Sequence, residues 1–473
     1  MLLSDLLRDV CVLREYKDRE ITAVTDKTEK VKIGCAFVCV KGSTVDGHSF
    51  AEEMLKKGAA AVIVSEDLKL PQQILVDDTR KAYALMCKNF FGRSADRLCI
   101  VGITGTNGKS STASPVKDVL NSFGIKVGVI GTVKNLVGDK EFETTMTTPD
   151  PYEIHRLFSL MEKDGIKYCI MEITSQALHQ MRHTGIHFKV AVFTNLTQDH
   201  LDYHKTMDEY KRCKKELFYN CDTAIMNCDD EHFEYFKDGI NAEIVTYGIK
   251  NAADLKAESI KLSPKGVSYS LFGKTVYYNV VGKFSVYNSL AVIGTVLKLG
   301  FSFSDILSVI ENVSSVKGRL ELLKTDTDYN IIIDYAHTPD GFIKALEAVR
   351  EFTTGNVITV FGCGGDRDKT KRPKMGRIAT EYSDVVIVTT DNPRTEDQSV
   401  ITKEILLGTV GSKAEIVTIE NRTEAIEYAL SIAKKDDTVL LSGKGHETYQ
   451  IIGKDRVHYD EREVVTDILK KGV

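Results

Sequence analysis

The run Leu98-Cys99-Ile100-Val101-Gly102-Ile103, continued by Thr104-Gly105-Thr106-Asn107-Gly108-Lys109-Ser110-Ser111, decides how this chain reads. Its first half is apolar without alternation, which predicts a strand buried on both faces, as in a parallel sheet. Its second half is a glycine loop opening a helix-like stretch that ends near Gly124. A strand, a tight loop and a helix N-terminus in succession aim backbone N–H groups at one point, where phosphate oxygens are held. Glycines let the backbone turn and approach the ligand, Lys109 offsets β- and γ-phosphate charge, and the Ser110 hydroxyl reaches Mg²⁺. The spacing from Gly102 to Gly108 is one residue longer than the generic phosphate-loop pattern, so a plain glycine-rich turn is the competing reading. The charge and hydroxyls of Gly108-Lys109-Ser110-Ser111 weigh against it. Pro115 falls in the second turn of the predicted helix and removes a donor there, which predicts a kink or a shifted helix start.

Outward from this unit the same rhythm recurs. Apolar runs at Tyr168 to Ile173, Val190 to Phe193 and Thr223 to Met226 alternate with helical stretches, and a hairpin is expected around Gly273. After Gly318-Arg319 the pattern repeats at Ile331 to Ile333, Val357 to Phe361, Val385 to Val388, Glu415 to Ile419 and Thr438 to Leu441, a second doubly wound sheet. Ahead of the loop, short strands at Ala36 to Val40, Ala60 to Val64 and Gln73 to Val76, with a helix from Phe50 to Lys57, predict a small α/β unit. The expected fold is thus α/β in three domains: 1–96, small N-terminal α/β; 97–317, a central phosphate-loop doubly wound domain; 318–473, a C-terminal Rossmann-like doubly wound domain.

The length of 473 residues agrees, since about 150 residues per domain gives about three. With 42% hydrophobic and 27% charged residues, 34 Gly and 8 Pro, disordered and collagen-like classes are excluded. The 62 basic and 67 acidic side chains give a formal charge of −5, no broad basic field, and no expectation of a nucleic-acid partner. Ten cysteines without a CxxC pair read as reduced thiols, Cys35 and Cys39 included, since both sit in a strand-like run. Met1 to Val12 is interrupted by Asp5, Arg8 and Asp9, unlike a signal peptide, and no apolar run approaches the roughly 20 residues a membrane span needs. A cytoplasmic location without stable membrane insertion is expected.

Past the loop, Met171-Glu172-Ile173-Thr174-Ser175 ends one buried strand, and Thr194 to His204 follows another. Both ends should face one crevice, where a carboxylate and an imidazole near bound triphosphate would ligate a hard cation. His200 and His204 taken alone read equally well as a solvated helix start. His179, His183 and His187 read as surface or substrate-contact residues and not as a zinc site, because no acid is interleaved and Gly185 interrupts the helix.

These motifs, with Tyr210 through Lys214 to Leu217-Phe218, Tyr287-Asn288-Ser289-Leu290-Ala291, Gly318-Arg319-Leu320-Glu321 and Asp334-Tyr335-Ala336-His337-Thr338-Pro339, form an ordered series. It continues with Gly362-Cys363-Gly364-Gly365-Asp366-Arg367-Asp368, Asp391-Asn392-Pro393-Arg394 and Gly443-Lys444-Gly445-His446-Glu447. Over nearly its whole length the chain resembles the Mur ligases of peptidoglycan synthesis, within them the tripeptide-synthetase branch. The resemblance implies an N-terminal domain for the uridine nucleotide, a central ATPase, and a C-terminal domain for the incoming amino acid. It further implies that ATP phosphorylates the terminal carboxylate of UDP-MurNAc-L-Ala-D-Glu, and that the amine of meso-diaminopimelate attacks the acyl phosphate. Lys109, Glu172, His200 and Lys214 would be catalytic. ATP would be held by Gly105, Thr106, Asn107, Gly108, Lys109, Ser110, Ser111, Asn288, Arg319, Asp334 and His337. Two Mg²⁺ ions would be bound by Ser110, Glu172 and His200, supported by a CO₂-derived carbamate on Lys214, the lysine that the spacing to Leu217-Phe218 selects over Lys215.

The UDP-sugar dipeptide would contact Thr28, Thr147, Thr148, Ser175, Arg182 and Lys214. Arg367, Asp391, Asn392, Pro393, Arg394, Gly443 and Glu447 would take diaminopimelate, whose additional distal carboxylate suits the Arg394 fork and whose distal ammonium suits Glu447. Lysine-adding relatives lack that arginine. Departures concern the sugar contacts: the family's Asp-Ser-Arg is here Asp26-Lys27-Thr28, and Thr174 and Gln176 replace the usual serine and histidine. A monomer that closes its domains on substrates is expected. A lysine-adding ligase, a folylpolyglutamate synthetase and a non-ligase phosphate-loop NTPase are the alternatives; a dinucleotide oxidoreductase is disfavoured because no GxGxxG opens the third block.

Overall fold

The structure is a computed structural model that describes residues 1–42, 45–313 and 315–472. The chain divides into two compact units, one of Met1–Leu255 with Ala291–Ser302, the other of Lys256–Leu290 with the described chain from Phe303 onward.

In the first unit, the strands Val24–Thr25, Ala36–Val38, Ala61–Val64 and Gln73–Leu75 pair in parallel, in chain order, as one sheet. Its cover includes the helix Thr79–Phe90, started by Asp78, whose carboxylate accepts from the backbone N–H of Arg80 and Lys81. A nine-stranded sheet follows. Its parallel centre runs Glu243–Gly248, Cys221–Asn227, Phe188–Phe193, Cys99–Thr104, Tyr168–Glu172, Val127–Ile130 across the sheet. The antiparallel edge Asn135–Val137 and Lys140–Phe142 escapes sequence reading, being two three-residue strands, one of them exposed and charged. Register does the functional work: Thr104 lies opposite Phe193 and Ile103 opposite Glu172. The phosphate-loop candidate, the Glu172 strand end and the segment after Phe193 therefore emerge side by side.

The helix Lys109–Ser122 begins at Lys109 and continues through Pro115, so the expected shift of its start does not occur. Its buried face of Thr112, Ala113, Pro115, Val116, Val119 and Leu120 compensates for the one donor that proline lacks.

The second unit carries an antiparallel three-stranded sheet, Glu258–Ser263, Gly266–Leu271 and Lys274–Tyr278, the last two being the hairpin expected around Gly273. Its main sheet has six strands in the order Glu321–Leu322, Asn330–Asp334, Thr438–Ser442, Val357–Phe361, Val385–Val388, Glu415–Thr418, parallel except for the first. Both faces are covered: Ile332 points into one apolar cluster, Ile331 and Ile333 into the other. Such burial is worth about 1.5–3 kcal/mol per large aliphatic side chain, which is why these strands read as unbroken apolar runs. Asp334 and Phe361 both lie opposite Ser442, and Phe361 opposite Val388, so the loops after these strands share one edge. All ten cysteines are free.

Candidate functional site

The loop from Gly105 to Ser111 is folded onto the segment after Phe193. Thr106 N–H donates to Asn195 O (2.8 Å) and Asn107 N–H to Asn195 Oδ1 (3.0 Å), while the Thr194 hydroxyl donates to Asn107 O (2.6 Å). Gly105 has φ +151° and Gly108 φ +84°. A side chain on Gly105 would collide with Thr194 and press within 3.1 Å of the Asn195 backbone, so the close approach requires glycine there. Lys109 Nζ lies 2.9 Å from both Gly105 O and Thr106 O, at the start of the helix.

Glu172 is 3% exposed and held by hydroxyls. Its Oε2 accepts from Ser110 Oγ (2.7 Å) and Thr132 Oγ1 (2.9 Å), its Oε1 from Thr132 N–H (3.0 Å). Thr132 was not singled out by sequence reading; the signal was a glycine–threonine pair, Gly131-Thr132, just past the buried strand Val127–Ile130. Thr147 reaches this set through Thr132 Oγ1 at 3.0 Å. Hard oxygen donors of this kind, one carboxylate with a hydroxyl, fit Mg²⁺, which binds through few protein ligands plus phosphates.

Lys214 is 1% exposed, on the helix Met207–Lys215, and its Nζ donates to Gly105 O at 2.9 Å over the Tyr210 ring. Burial, and then the Lys109 charge, hold its ammonium well below the ordinary lysine range. The same Gly105 carbonyl thus receives both lysines. Tyr210 is anchored through its hydroxyl to Thr106 Oγ1 (3.1 Å). His200 stands apart from the buried carboxylate: its side chain is 47% exposed, its Nε2 3.5 Å from Asp199 Oδ2, its ring 6.3 Å from that of Tyr210. His204 is fully buried, with Nε2 2.8 Å from Ser175 Oγ. Among the described residues no three His, Cys, Asp or Glu side chains gather as a metal cage. His187 pairs with Asp222 (2.7 Å) and His179 with the Tyr203 hydroxyl (2.9 Å). His183 is half-buried and lines a cavity together with His179, and burial pushes its imidazole down to about 4.

A cavity of about 620 Å³ in the same unit is lined by Asp26, Arg80, Tyr83, Gln180, Arg182, Tyr203 and Lys205, among others. Of the residues expected at the UDP-sugar, only Arg182 lines it. Thr148 is instead used internally, its hydroxyl donating to Glu172 O (2.9 Å) and accepting from Thr174 N–H (3.0 Å). Thr28 begins a short turn and does not line the cavity; its neighbour Lys27 pairs with Asp150 at 3.2 Å. Arg80, Gln180 and Lys205 carry no motif, which is why sequence reading passed over them.

In the second unit, Asp334 is buried and spends both carboxylate oxygens on backbone, accepting from Leu320 N–H (2.7 Å) and Ala336 N–H (2.8 Å). Burial raises its proton affinity above the usual carboxylate range. Arg319 lies 5.0 Å over the Tyr335 ring, His337 Nδ1–H donates to Tyr335 O (2.9 Å), and Asn288 is buried on the helix Phe284–Lys298. At the neighbouring strand ends, Arg394 has a left-handed backbone (φ +52°) and donates from Nη1 to Gly365 O (2.8 Å). The hairpin Tyr449–Ile452 and Asp455–His458 pins it: Arg394 N–H donates to Ile451 O (3.1 Å), and Gly453 N–H to Arg394 O (2.8 Å). Asn392 Nδ2 donates to Glu447 Oε2 at 3.0 Å. Gly443 lies beside the Asp391 carboxylate, Pro393 is buried, and Arg367 is exposed, bonding Asp366 O (3.2 Å).

Comparison with known proteins places these features. Residues 20–89 match the Mur ligase family catalytic domain, 103–296 the Mur ligase middle domain, and 318–445 the Mur ligase glutamate ligase domain. The chain is 44% identical over 462 residues to the UDP-N-acetylmuramoyl-L-alanyl-D-glutamate–2,6-diaminopimelate ligase 1 of Clostridium acetobutylicum, covering 96% of this chain and 95% of that one. It is 42% identical over 466 residues to the corresponding ligase of Geobacillus thermodenitrificans, with 96% and 95% covered. A solved structure of a UDP-N-acetylmuramoyl-L-alanyl-D-glutamate–2,6-diaminopimelate ligase superposes with TM-score 0.73 at 29% identity over 95% of each chain. MurF from Thermotoga maritima in complex with ADP shares the fold, with TM-score 0.59, 19% identity, and 95% of this chain and 97% of that one covered.

Proposed function

Because the chain belongs to the Mur ligase family, with N-terminal, central and C-terminal domains, we propose a full reading of its chemistry. It is an ATP-dependent ligase that joins meso-diaminopimelate to UDP-N-acetylmuramoyl-L-alanyl-D-glutamate in peptidoglycan precursor synthesis. The observation that carries the acceptor is Arg394, whose guanidinium is tied to Gly365 O, with the nearby Asn392 amide bonded to Glu447. A fork for the distal carboxylate next to a carboxylate for the distal ammonium matches diaminopimelate and leaves half the recognition idle for lysine.

The γ-phosphoryl group of ATP passes to a carboxylate oxygen of the D-glutamyl residue, and ADP leaves. The diaminopimelate amine then attacks the acyl carbon, the tetrahedral intermediate expels phosphate, and the nitrogen loses its proton. The N–H groups of the Gly105–Ser111 loop hold the phosphates, and Lys109 offsets charge between two polyanions that would otherwise repel. Ser110 and Glu172 would hold Mg²⁺, with His200 and a carbamylated Lys214 for a second ion; bound there, the cations neutralise phosphate oxygens. The neutral amine favoured by burial of Lys214 is the form that adds CO₂. Asn288, Arg319 and His337 serve the nucleotide, and Asp334 acts through the backbone it holds. Thr28, Thr147, Thr148, Ser175 and Arg182 are assigned to the UDP-sugar side, joined by the cavity residues Gln180 and Lys205. Arg367, Asp391, Pro393 and Gly443 complete the acceptor pocket.

The proposed domain bounds are 1–96, 97–317 and 318–473, and the proposed working state is a monomer in the cytoplasm. No helix among the described residues is long and apolar enough to cross a membrane. The test is an acceptor panel of diaminopimelate, L-lysine and L-glutamate with ATP and UDP-MurNAc-L-Ala-D-Glu, read by product mass. Conjugation of diaminopimelate, with ADP released only when all substrates are present, is the expected result. A lysine conjugate at equal or greater rate would overturn the acceptor assignment.

A further inference from the structure

The loops at the end of the C-terminal sheet hold a lysine to which the reading above gives no task. Lys444 follows the strand Thr438–Ser442 and is 0% exposed. Its Nζ lies 3.1 Å from Asn392 Oδ1, 3.3 Å from Glu447 Oε2 and 3.5 Å from Asp391 Oδ1. An ammonium has three N–H donors and no acceptor; two go to Asn392 Oδ1 and Glu447 Oε2, while Asp391 Oδ1, which accepts no hydrogen bond among the described residues, adds an ion pair. Two consequences follow for its neighbours. Asn392 Oδ1 also accepts from Ile451 N–H (2.9 Å), which orients the amide so that Nδ2 faces Glu447. Glu447 Oε2 therefore takes two donors, while its Oε1 carries no bond among the described residues. A carboxylate clamped at one oxygen presents the other in a fixed direction. One buried cation between two carboxylates also leaves a single net negative charge, the complement of one ammonium.

We infer that Lys444 is a positioning residue which aims the Glu447 carboxylate and so sets selectivity for an acceptor bearing a distal ammonium. This rests on the acceptor assignment proposed above. The test compares meso-diaminopimelate with 2-aminopimelate, which keeps the reacting amine and the distal carboxylate but lacks the distal ammonium. Both are assayed on the full-length enzyme and on Lys444→Met and Lys444→Gln, with melting temperature and KM for ATP as folding controls. Lys444→Met is expected to raise KM for diaminopimelate about tenfold or more, to hold kcat within about threefold, and to erase most of the preference over 2-aminopimelate. Lys444→Gln, which keeps an N–H donor, should give an intermediate ratio, and it carries the test if the methionine variant does not fold. A merely structural lysine would weaken both acceptors alike; an unchanged ratio in a folded variant overturns the inference. Wild-type enzyme that fails to use diaminopimelate overturns the acceptor assignment instead, so the two failures are distinguishable.

Discussion

Lys214 and Arg394 show what single residues contribute. Lys214 was legible only through its spacing to Leu217-Phe218, because sequence cannot tell it from Lys215; the structure distinguishes them by the bond of Lys214 to Gly105 O. If Lys214 bears the proposed carbamate, its replacement by alanine should lower kcat about a hundredfold or more with KM for ATP little changed; because the side chain is 1% exposed, a lower melting temperature accompanies the loss and is read separately. Incubation of the native enzyme with ¹³C-bicarbonate should yield a carbamate carbon resonance that the variant lacks. For Arg394, lysine is not a conservative exchange, because a point charge cannot reproduce a planar fork. Arg394→Lys should raise KM for diaminopimelate about tenfold or more and leave KM for ATP unchanged; full activity would remove Arg394 from the acceptor pocket. The motif Gly443-Lys444-Gly445 assigns Lys444 no role, because two flanking glycines say nothing about which carboxylates a buried ammonium will meet.

Among the elements, the helix Lys109–Ser122 and the segment after Phe193 carry the phosphate-loop candidate together. The strand and helix were readable because both are marked by composition, apolar residues ending in glycine. Their partner, the Thr194–Asn195 strap, was readable only as a strand end, since its bonds to Asn107 depend on register. Pro115 offers a test of how much packing holds this helix. An interior proline costs about 3 kcal/mol, and removing two buried methylenes returns about 1.6 kcal/mol of that loss. Pro115→Ala should therefore stabilise the protein by about 1 kcal/mol, read as a higher urea midpoint. A lower midpoint would mean that the proline ring packs better than its lost bond costs.

Taken whole, the three-domain α/β plan was visible in sequence because buried parallel strands are uninterrupted apolar runs, whereas the edge hairpin Asn135–Phe142 and the cavity lined by Arg80, Gln180, Arg182 and Lys205, which carry no motif, were not. The fold also makes a prediction about acid. His155 is 1% exposed, its Nε2 has no hydrogen-bond partner among the described residues, and burial pushes it down to about 3 from an ordinary 6.5. Between these values the unfolded chain binds a proton that the folded chain refuses, so stability is complete above the upper value and is lost as pH falls through the window. Each tenfold difference in proton affinity is worth about 1.4 kcal/mol. His155→Phe should leave the urea midpoint near pH 7.5 little changed and reduce the loss between pH 6 and 4, values chosen to sample that window at about its middle; equal acid sensitivity in both proteins would assign it elsewhere. A last consequence lies in the small hairpin that grips Arg394 through Ile451 and Gly453. Its tip, from Ile452 to Asp455, is solvent-facing, so lengthening or shortening it would re-aim the guanidinium while leaving Asp391, Asn392 and Glu447 unchanged.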